Sequence, residues 1–124
     1  MLLCLLAYQH NRYKKGVNMS FGEIIADARK KQGLSQKDLA SRIKKEDGSA
    51  ISPQYLNDIE RDRRNPPSEQ ILAQFAKELN LSLDYLNIIS GKVPEDISIV
   101  GYKPEEIEAA VLAFRKTLER QKGK

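Results

Sequence analysis

A short polar segment from Ser52 to Pro67 carries the side chains of this sequence that are best suited to bind another molecule. Its residues, SPQYLNDIERDRRNPP, include Gln54 and Asn57, whose amide groups donate and accept hydrogen bonds in one plane. Three arginines follow, and their guanidinium forks match the oxygens of carboxylate or phosphate groups. Such groups recognise hydrogen-bonding edges and anions, so the first expectation is binding rather than catalysis.

The same segment carries the start and stop signals of one short helix. Ser52 is a preferred N-cap residue, and Pro53 suits the first helical position because an N–H there would have no partner. The helix is predicted to end near Arg61 to Arg64, because the residue before a proline avoids helical geometry and Pro66 follows. The polar side chains would then lie on the outer face of a helix.

Two local start signals predict the helices that precede this one. Ser20 and Glu23 have the spacing of a capping box, in which the two side chains satisfy each other's free backbone N–H groups, and SQKD at 35–38 starts a second, short helix. Gly33 supplies the stop between the two helices. The apolar residues expected to face the core are Phe21, Ile24, Ile25, Ala28, Leu39, Ala40 and Ile43.

Two more helices are predicted after the polar segment. Ser68 caps a fourth helix that Asn80 can close, and Ser82 opens a fifth helix that runs to Gly91. The predicted fold is therefore all-α, with a five-helix unit over residues 19–91. Residues 92–103 are predicted to be a linker.

A last amphipathic helix is predicted over residues 104–124, with Pro104 at its start. Its apolar residues recur at alternating spacings of four and three: Ile107, Val111, Phe114 and Leu118. Such a seam requires a partner. The helix either folds back on the five-helix unit or pairs with its own copy in a dimer, and the sequence leaves both open.

Composition and charge limit the function without deciding it. The chain has 124 residues, with 31% charged, 6% aromatic and no tryptophan, which suits one small helical domain with an aliphatic core. The net charge of +4 does not by itself indicate a nucleic acid. Three basic residues and no acid lie in 1–18, which reduces the 21 basic residues to 18 against 17 acidic ones in the rest of the chain. The positions of the charges must therefore carry the argument.

Residues 1–18 are predicted to be a mis-assigned upstream extension or a disordered tail. Lys15 to Met19 back-translates to permit GGAG a few bases before a start codon, which favours Met19 as the first residue. The run LLCLLAY is too short to span a membrane and lacks a signal-peptide cleavage site. The single cysteine, Cys4, excludes an internal disulfide and suits a reducing compartment, so a cytoplasmic protein is expected.

The order of these motifs resembles the phage-repressor (Cro and lambda-repressor, or XRE) helix-turn-helix family. The resemblance covers most of Phe21 to Leu86 and is carried by GLSQKDLA at 33–40, IS at 51–52, LNDIER at 56–61 and RRNP at 63–66. It implies a five-helix DNA-binding domain and a sequence-specific transcriptional regulator, expected to be a repressor. It also implies a homodimer on a palindromic operator in double-stranded DNA.

One feature departs from the family pattern. The segment KKEDGSA, residues 44–50, is predicted to be a loop and is longer than the three to four residues that usually join the two helices of the motif. Lys44 and Lys45 in this loop either reach a phosphate or are only solvated.

The resemblance implies DNA contacts for nine residues: Gln36, Ser52, Gln54, Tyr55, Asn57, Asp58, Arg61, Arg63 and Arg64. The helix from Ser52 to Arg61 would enter the major groove, with Gln54, Tyr55 and Asp58 at the base edges. Tyr55 has packing against the core as an alternative role. Gln36 would contact a phosphate and brace the third helix, and the three arginines would lie along the DNA backbone.

Two further assignments concern acidic residues. Glu60 is expected to pair with Arg29, which would tie the third helix to the first. Asp58 repels phosphate but can accept a hydrogen bond from cytosine N4, so it would weaken non-specific binding and sharpen sequence choice. Selective DNA binding is therefore predicted.

Other function classes have less support. His10 and Cys4 both lie in 1–18, so the five-helix unit has no Cys/His or Ser/His/Asp constellation, and the sequence has no Gly-rich phosphate loop or spaced metal ligands. No enzyme activity, cofactor, metal or membrane association is predicted. The stronger alternative is an antitoxin or protein-interaction module on the same fold, with residues 104–122 binding the partner.

Overall fold

The computed structural model describes residues 19–123, so the prediction for residues 1–18 lies outside the described part of the chain. The described residues form the α-helices α1 (Phe21–Lys31), α2 (Gln36–Arg42), α3 (Pro53–Glu60), α4 (Glu69–Leu79), α5 (Leu83–Ile89) and α6 (Pro104–Lys122). The all-α prediction is confirmed.

Helix starts follow the local signals closely. Ser20 Oγ accepts from the N–H of Glu23 at 3.1 Å, and Glu23 Oε1 accepts from the N–H of Ser20 at 2.8 Å. Ser35 and Asp38 exchange the same two bonds at 3.0 and 3.2 Å. Ser68 occupies the predicted N-cap position of α4, although its side chain makes no capping hydrogen bond there.

Helix α1 ends in a Schellman turn at Gly33. The N–H of Gly33 donates to Lys30 O at 3.0 Å, and the N–H of Leu34 donates to Arg29 O at 3.2 Å. Gly33 has φ +73°, which a glycine adopts without the steric cost of a Cβ atom. The chain therefore reverses sharply and enters α2 at once.

The core lies between the first five helices. Helix α3 packs against α1 and α2, while α4 packs against α1 and α5. Leu56 and Ile59 lie on the inner side of α3 and are buried in this core. The other fully buried aliphatic and aromatic side chains include Ile25, Leu39, Ile43, Leu72, Phe75 and Leu86.

The chain divides into two compact units, one extending to Pro94 and the other beginning at Glu95. The second unit contains α6, a helix of 19 residues with Pro104 in its first turn and no buried residue along its length. Among residues 19–123, no helix is long and apolar enough to cross a membrane.

Candidate nucleic-acid interface

The long connection between α2 and α3 closes on itself. Lys44 and Ala50 form an antiparallel bridge, and Ile51 N–H donates to Ile43 O at 2.9 Å. Inside this closure Gly48 turns the chain with φ +89°. The extra residues of the predicted loop therefore project as a small turn, while the chain enters α3 beside the point where it left α2.

Gln74 of α4 fixes the base of this turn. Its Oε1 accepts from the N–H of Lys44 at 2.6 Å, and its Nε2 donates to Lys44 O at 2.7 Å. A single side chain thus replaces both hydrogen bonds that a neighbouring strand would supply. This contact could not be predicted from the sequence, because nothing local marks a glutamine 30 residues away as the partner.

A buried ion pair holds α3 against α1. Arg29 Nε donates to Glu60 Oε2 at 2.7 Å, and Arg29 Nη2 donates to Glu60 Oε1 at 3.0 Å. The remaining Nη1 donates to Leu34 O at 2.8 Å. Gln36, at the start of α2, donates from Nε2 to Glu60 Oε1 at 2.9 Å. One carboxylate therefore joins three elements behind the polar face of α3.

A second contact, which no local sequence pattern predicts, holds the carboxyl end of α3. Asp62 has φ +58° and follows Arg61, the C-cap residue of α3, so the helix ends at a left-handed residue before the prolines are reached. Asp62 Oδ1 accepts from the N–H of Gly22 at 2.9 Å, and its Oδ2 accepts from Ser20 Oγ at 2.5 Å.

Gly22 is required where these elements meet. A Cβ atom on Gly22 would lie 2.4 Å from Ile59 O and 2.6 Å from Glu60 O. The first turn of α1 therefore contacts the last turn of α3 backbone to backbone. The sequence did contain a signal for this contact, because Gly22 lies inside the capping box of α1. Glycine destabilises a helix relative to alanine, so a glycine at this position indicates a close approach of another segment.

The outer face of α3 is organised around Asp58. Gln54 Nε2 donates to Asp58 Oδ1 at 3.0 Å, one helical turn away. Arg63 Nη1 lies 3.6 Å from Asp58 Oδ1, and Arg64 Nε lies 3.7 Å from its Oδ2. The structure thus gathers four of the predicted DNA-binding residues into one network. Its arginine side chains are about half exposed.

Tyr55 serves the core and the surface together. It is half-buried and packs against the hydrophobic core, while the guanidinium of Arg64 lies 4.5 Å from its ring centroid. Its N–H donates to Ser52 Oγ at 3.0 Å, the capping bond of α3. The ring therefore acts as a platform for Arg64, and the Ser52 hydroxyl oxygen is already engaged by the helix.

Asn57 and Arg61 have contrasting surroundings. Asn57 is half-buried and its Oδ1 accepts from Gln36 Nε2 at 3.2 Å, so this amide faces the α2 side of the helix. Arg61 is exposed at the end of α3. Lys45, whose role the sequence left open, lines a shallow depression together with Ser52, Tyr55 and Arg64. The turn between α2 and α3 therefore adds a positive charge at the start of α3.

Within residues 19–123, no group of three or more His, Cys, Asp or Glu side chains is placed to hold a metal ion. The chemistry of this surface is that of amide, carboxylate, guanidinium and ammonium groups.

A helix-turn-helix family model matches residues 25–86, which includes α2, the closed turn, α3 and α4. The chain belongs to the XRE-type helix-turn-helix family. It is therefore a DNA-binding transcription regulator, the function of that family. The match spans the buried ion pair, the Gln36 contact and the outer face of α3.

Three solved structures are similar to the chain. SinR, the master regulator for biofilm formation, in complex with DNA is 30% identical over 53% of this chain and 95% of that chain, with a TM-score of 0.45. A SinR/SinI protein complex is 25% identical over 82% and 94%, with a TM-score of 0.46. The clp gene regulator ClgR from Corynebacterium glutamicum is 24% identical over 81% and 83%, with a TM-score of 0.43. The comparison with curated proteins gives no significant match.

Proposed function

We propose that this protein is a sequence-specific repressor that places α3 in the major groove of double-stranded DNA. The observation that carries the proposal is the division of α3 into two sides. Its inner side is fixed by Leu56, Ile59 and the Arg29–Glu60 pair, while its outer side presents Gln54, Asp58 and the neighbouring arginines. A rigid short helix with a polar outer face fits the width of the groove.

Base recognition is assigned to the outer face of α3. The Gln54 amide can donate from Nε2 to adenine N7 and accept at Oε1 from adenine N6, and Asp58 can accept from cytosine N4. Tyr55 is held between the core and Arg64, so its ring would contact a base or a sugar by its edge. Asn57 is engaged by Gln36 and contributes less.

Phosphate contacts are assigned to the positive groups around the helix. Arg61, Arg63 and Arg64 follow α3 and would lie along one DNA strand. Because Gln36 Nε2 already donates to Asn57 and Glu60, Gln36 would contact a phosphate through its backbone N–H at the first position of α2. The start of α3 would offer Ser52 and Lys45 beside the backbone N–H of Gln54. These contacts set the register of the helix and carry no sequence information of their own.

Asp58 competes with DNA phosphates for the neighbouring arginines. In the free protein its carboxylate lies within 4 Å of both Arg63 and Arg64. Phosphates must compete with this carboxylate for the arginines, and the carboxylate itself is repelled by the DNA backbone. A sequence that offers Asp58 a donor compensates for the loss, whereas a random sequence does not. Specific binding therefore gains over non-specific binding.

The repressor would act in the cytoplasm as a homodimer, because two copies related by a two-fold axis match a palindromic operator. Half-sites would then repeat about one DNA turn, roughly 34 Å, apart.

The alternative function, an antitoxin or protein-interaction module, is favoured by α6, whose Val111, Phe114 and Leu118 side chains are about half exposed. In that case α6 would bind a different protein.

Fluorescence anisotropy tests the proposal. The protein is titrated against DNA from upstream of its own gene and against a scrambled duplex, over a series of salt concentrations. We expect Gln54→Ala to lower the preference for the specific duplex, and Arg61→Ala with Arg64→Ala to reduce the dependence of affinity on salt. The matched control is Lys30→Ala with Lys77→Ala. It also removes two positive charges, but from the carboxyl ends of α1 and α4.

Equal binding of both duplexes by the unmutated protein would contradict sequence-specific recognition. No binding at low salt would contradict DNA binding by this surface and would favour the protein-interaction alternative. An equal loss in the arginine variant and in its lysine control would remove the assigned role of the arginine segment. Repression is tested separately, by transcription in vitro from a promoter that contains the bound sequence.

A further inference from the structure

Helix α6 presents a regular apolar seam. Its members recur at spacings of four, three and four residues: Ile107, Val111, Phe114 and Leu118. Val111, Phe114 and Leu118 are 45%, 50% and 53% exposed, and no residue of the helix is buried. This spacing is that of the a and d positions of a two-helix coiled coil. The seam is therefore built to pack against another helix.

The charges of α6 are sorted along its length. From Pro104 to Phe114 the helix has three glutamates and no basic residue, whereas from Arg115 to Lys122 it has four basic residues and one acid. Two such helices side by side in parallel would bring acidic ends together and basic ends together. Antiparallel helices would bring each acidic half against a basic half. Their helix dipoles would also point in opposite directions, which is the favourable arrangement for two neighbouring dipoles.

We propose that the seam is covered by α6 of a second copy of this chain, in antiparallel orientation. When Ile107 faces Leu118 of the second copy, Val111 faces Phe114, because both pairs are centred between Leu112 and Ala113. All four apolar layers therefore match in one register without a gap.

The flanking positions agree with the same register. Glu108 follows Ile107 and Arg115 follows Phe114, so both occupy the position next to a d residue, where antiparallel coiled coils pair like positions. Each Glu108 then lies near Arg115 of the second copy, twice per dimer. In a parallel pair Glu108 would lie opposite Lys103, and Arg115 opposite Ala110, which leaves the basic half without acidic partners.

The length of the helix limits the strength of this contact. With 19 residues and a rise of about 1.5 Å per residue, α6 is about 28 Å long. A coiled coil of this size is marginal on its own, so the dimer is expected to be weak and to tighten when both subunits occupy adjacent half-sites. The role in operator binding rests on the proposed function, whereas the antiparallel contact does not.

Disulfide exchange tests the orientation in the full chain. Two variants are made in a Cys4→Ser background, one with Ile107→Cys and the other with Leu118→Cys, and are mixed in a glutathione redox buffer. We expect the mixed disulfide to form in excess over both homodisulfides, because only the antiparallel register brings positions 107 and 118 together. Excess homodisulfide, or crosslinking no greater than in guanidinium, would overturn the proposal.

Charge exchange tests the register by sedimentation equilibrium. We expect Glu108→Arg and Arg115→Glu each to weaken the dimer about tenfold, since two attractive pairs become repulsive, and the double variant to restore it. Restoration would show that the two residues interact across the interface. If each substitution only damaged its own helix, the two losses of dimer affinity would add in the double variant. A double variant no better than the single variants, or a monomeric unmutated protein, would overturn the proposal.

These outcomes are separate from those of DNA binding. Selective binding of a single half-site by a protein that does not dimerise would leave the proposed function intact and remove the antiparallel dimer. An antiparallel dimer that fails to bind DNA would do the reverse.

Discussion

Arg29 and Glu60 lie 31 residues apart in the chain and form a two-pronged ion pair, with Nε–Oε2 and Nη2–Oε1 distances of 2.7 and 3.0 Å. Their side chains are only 10% and 5% exposed. Since Glu60 also accepts a hydrogen bond from Gln36, its carboxylate joins α3 to both α1 and α2. The orientation of the outer face of α3 follows from this internal contact.

Glu60→Ala is expected to lower the free energy of unfolding by about 3 to 5 kcal/mol, because it leaves the Arg29 guanidinium buried without its counter-charge. Urea unfolding followed by circular dichroism measures the loss. Asp27→Ala is the control: Asp27 pairs with Lys31 at 2.8 Å within α1, at a more exposed site, and should cost under about 1 kcal/mol. Similar costs for the two variants would contradict a special role for the buried pair.

Gly22→Ala is expected to destabilise the protein by about 3 kcal/mol, because the new Cβ would overlap backbone oxygens that cannot move independently of α3. Gly33→Ala is the comparison. It meets nothing within 4 Å but holds φ +73°, so only the conformational cost of about 1 kcal/mol remains. Thermal unfolding of both variants distinguishes the effects, and a cost for Gly22→Ala no larger than for Gly33→Ala would show that α1 and α3 can separate without penalty.

The helix starts and stops could be predicted because their causes are local. Ser20 with Glu23, and Ser35 with Asp38, satisfy each other's backbone groups within one turn, so three residues of spacing contain the whole interaction. Ser68 shows the limit of this argument. The N-cap position was predicted, but the rotamer that decides the side-chain bond was not.

Contacts between distant elements could not be predicted in the same way. The hydrogen bonds from Gln74 to Lys44 and from Gly22 to Asp62 exist only after four helices have packed, and any exposed glutamine or aspartate would have matched the pattern equally well. On the outer face of α3 the residue types indicated a binding surface, but not that Asp58 engages Gln54 and both arginines before a ligand arrives.

Asp58→Ala is expected to raise the affinity for a scrambled duplex severalfold and to reduce the ratio of specific to non-specific affinity. Removal of the carboxylate frees Arg63 and Arg64 for phosphate and removes a repulsive charge from the groove. Anisotropy titrations over a salt series measure both effects. Asp84→Ala, which removes an exposed carboxylate from the first turn of α5, is the control. If Asp58→Ala weakened both duplexes equally or changed neither, Asp58 would have no part in selectivity.

The start of α2 is expected to lose stability in acid through Asp38. Hydrogen bonds from the backbone and side chain of Ser35 lower the pKa of Asp38 below its usual value of 3.8. A lowered folded pKa means that the stabilisation is complete above the unfolded pKa and is lost as the pH falls through the folded pKa.

Asp38→Ala should therefore reduce the free energy of unfolding by a constant amount from neutral pH down to about pH 5, and the difference from the unmutated protein should shrink below about pH 4. Urea unfolding at a series of pH values provides the test, with Asp96→Ala as an exposed carboxylate outside the helices. A difference that persisted unchanged at low pH would mean that Asp38 acts through helix propensity and not through its charge. Because Gln36 occupies the first position of this helix, loss of the capping box should also loosen the bond between Gln36 and Glu60 that steadies α3.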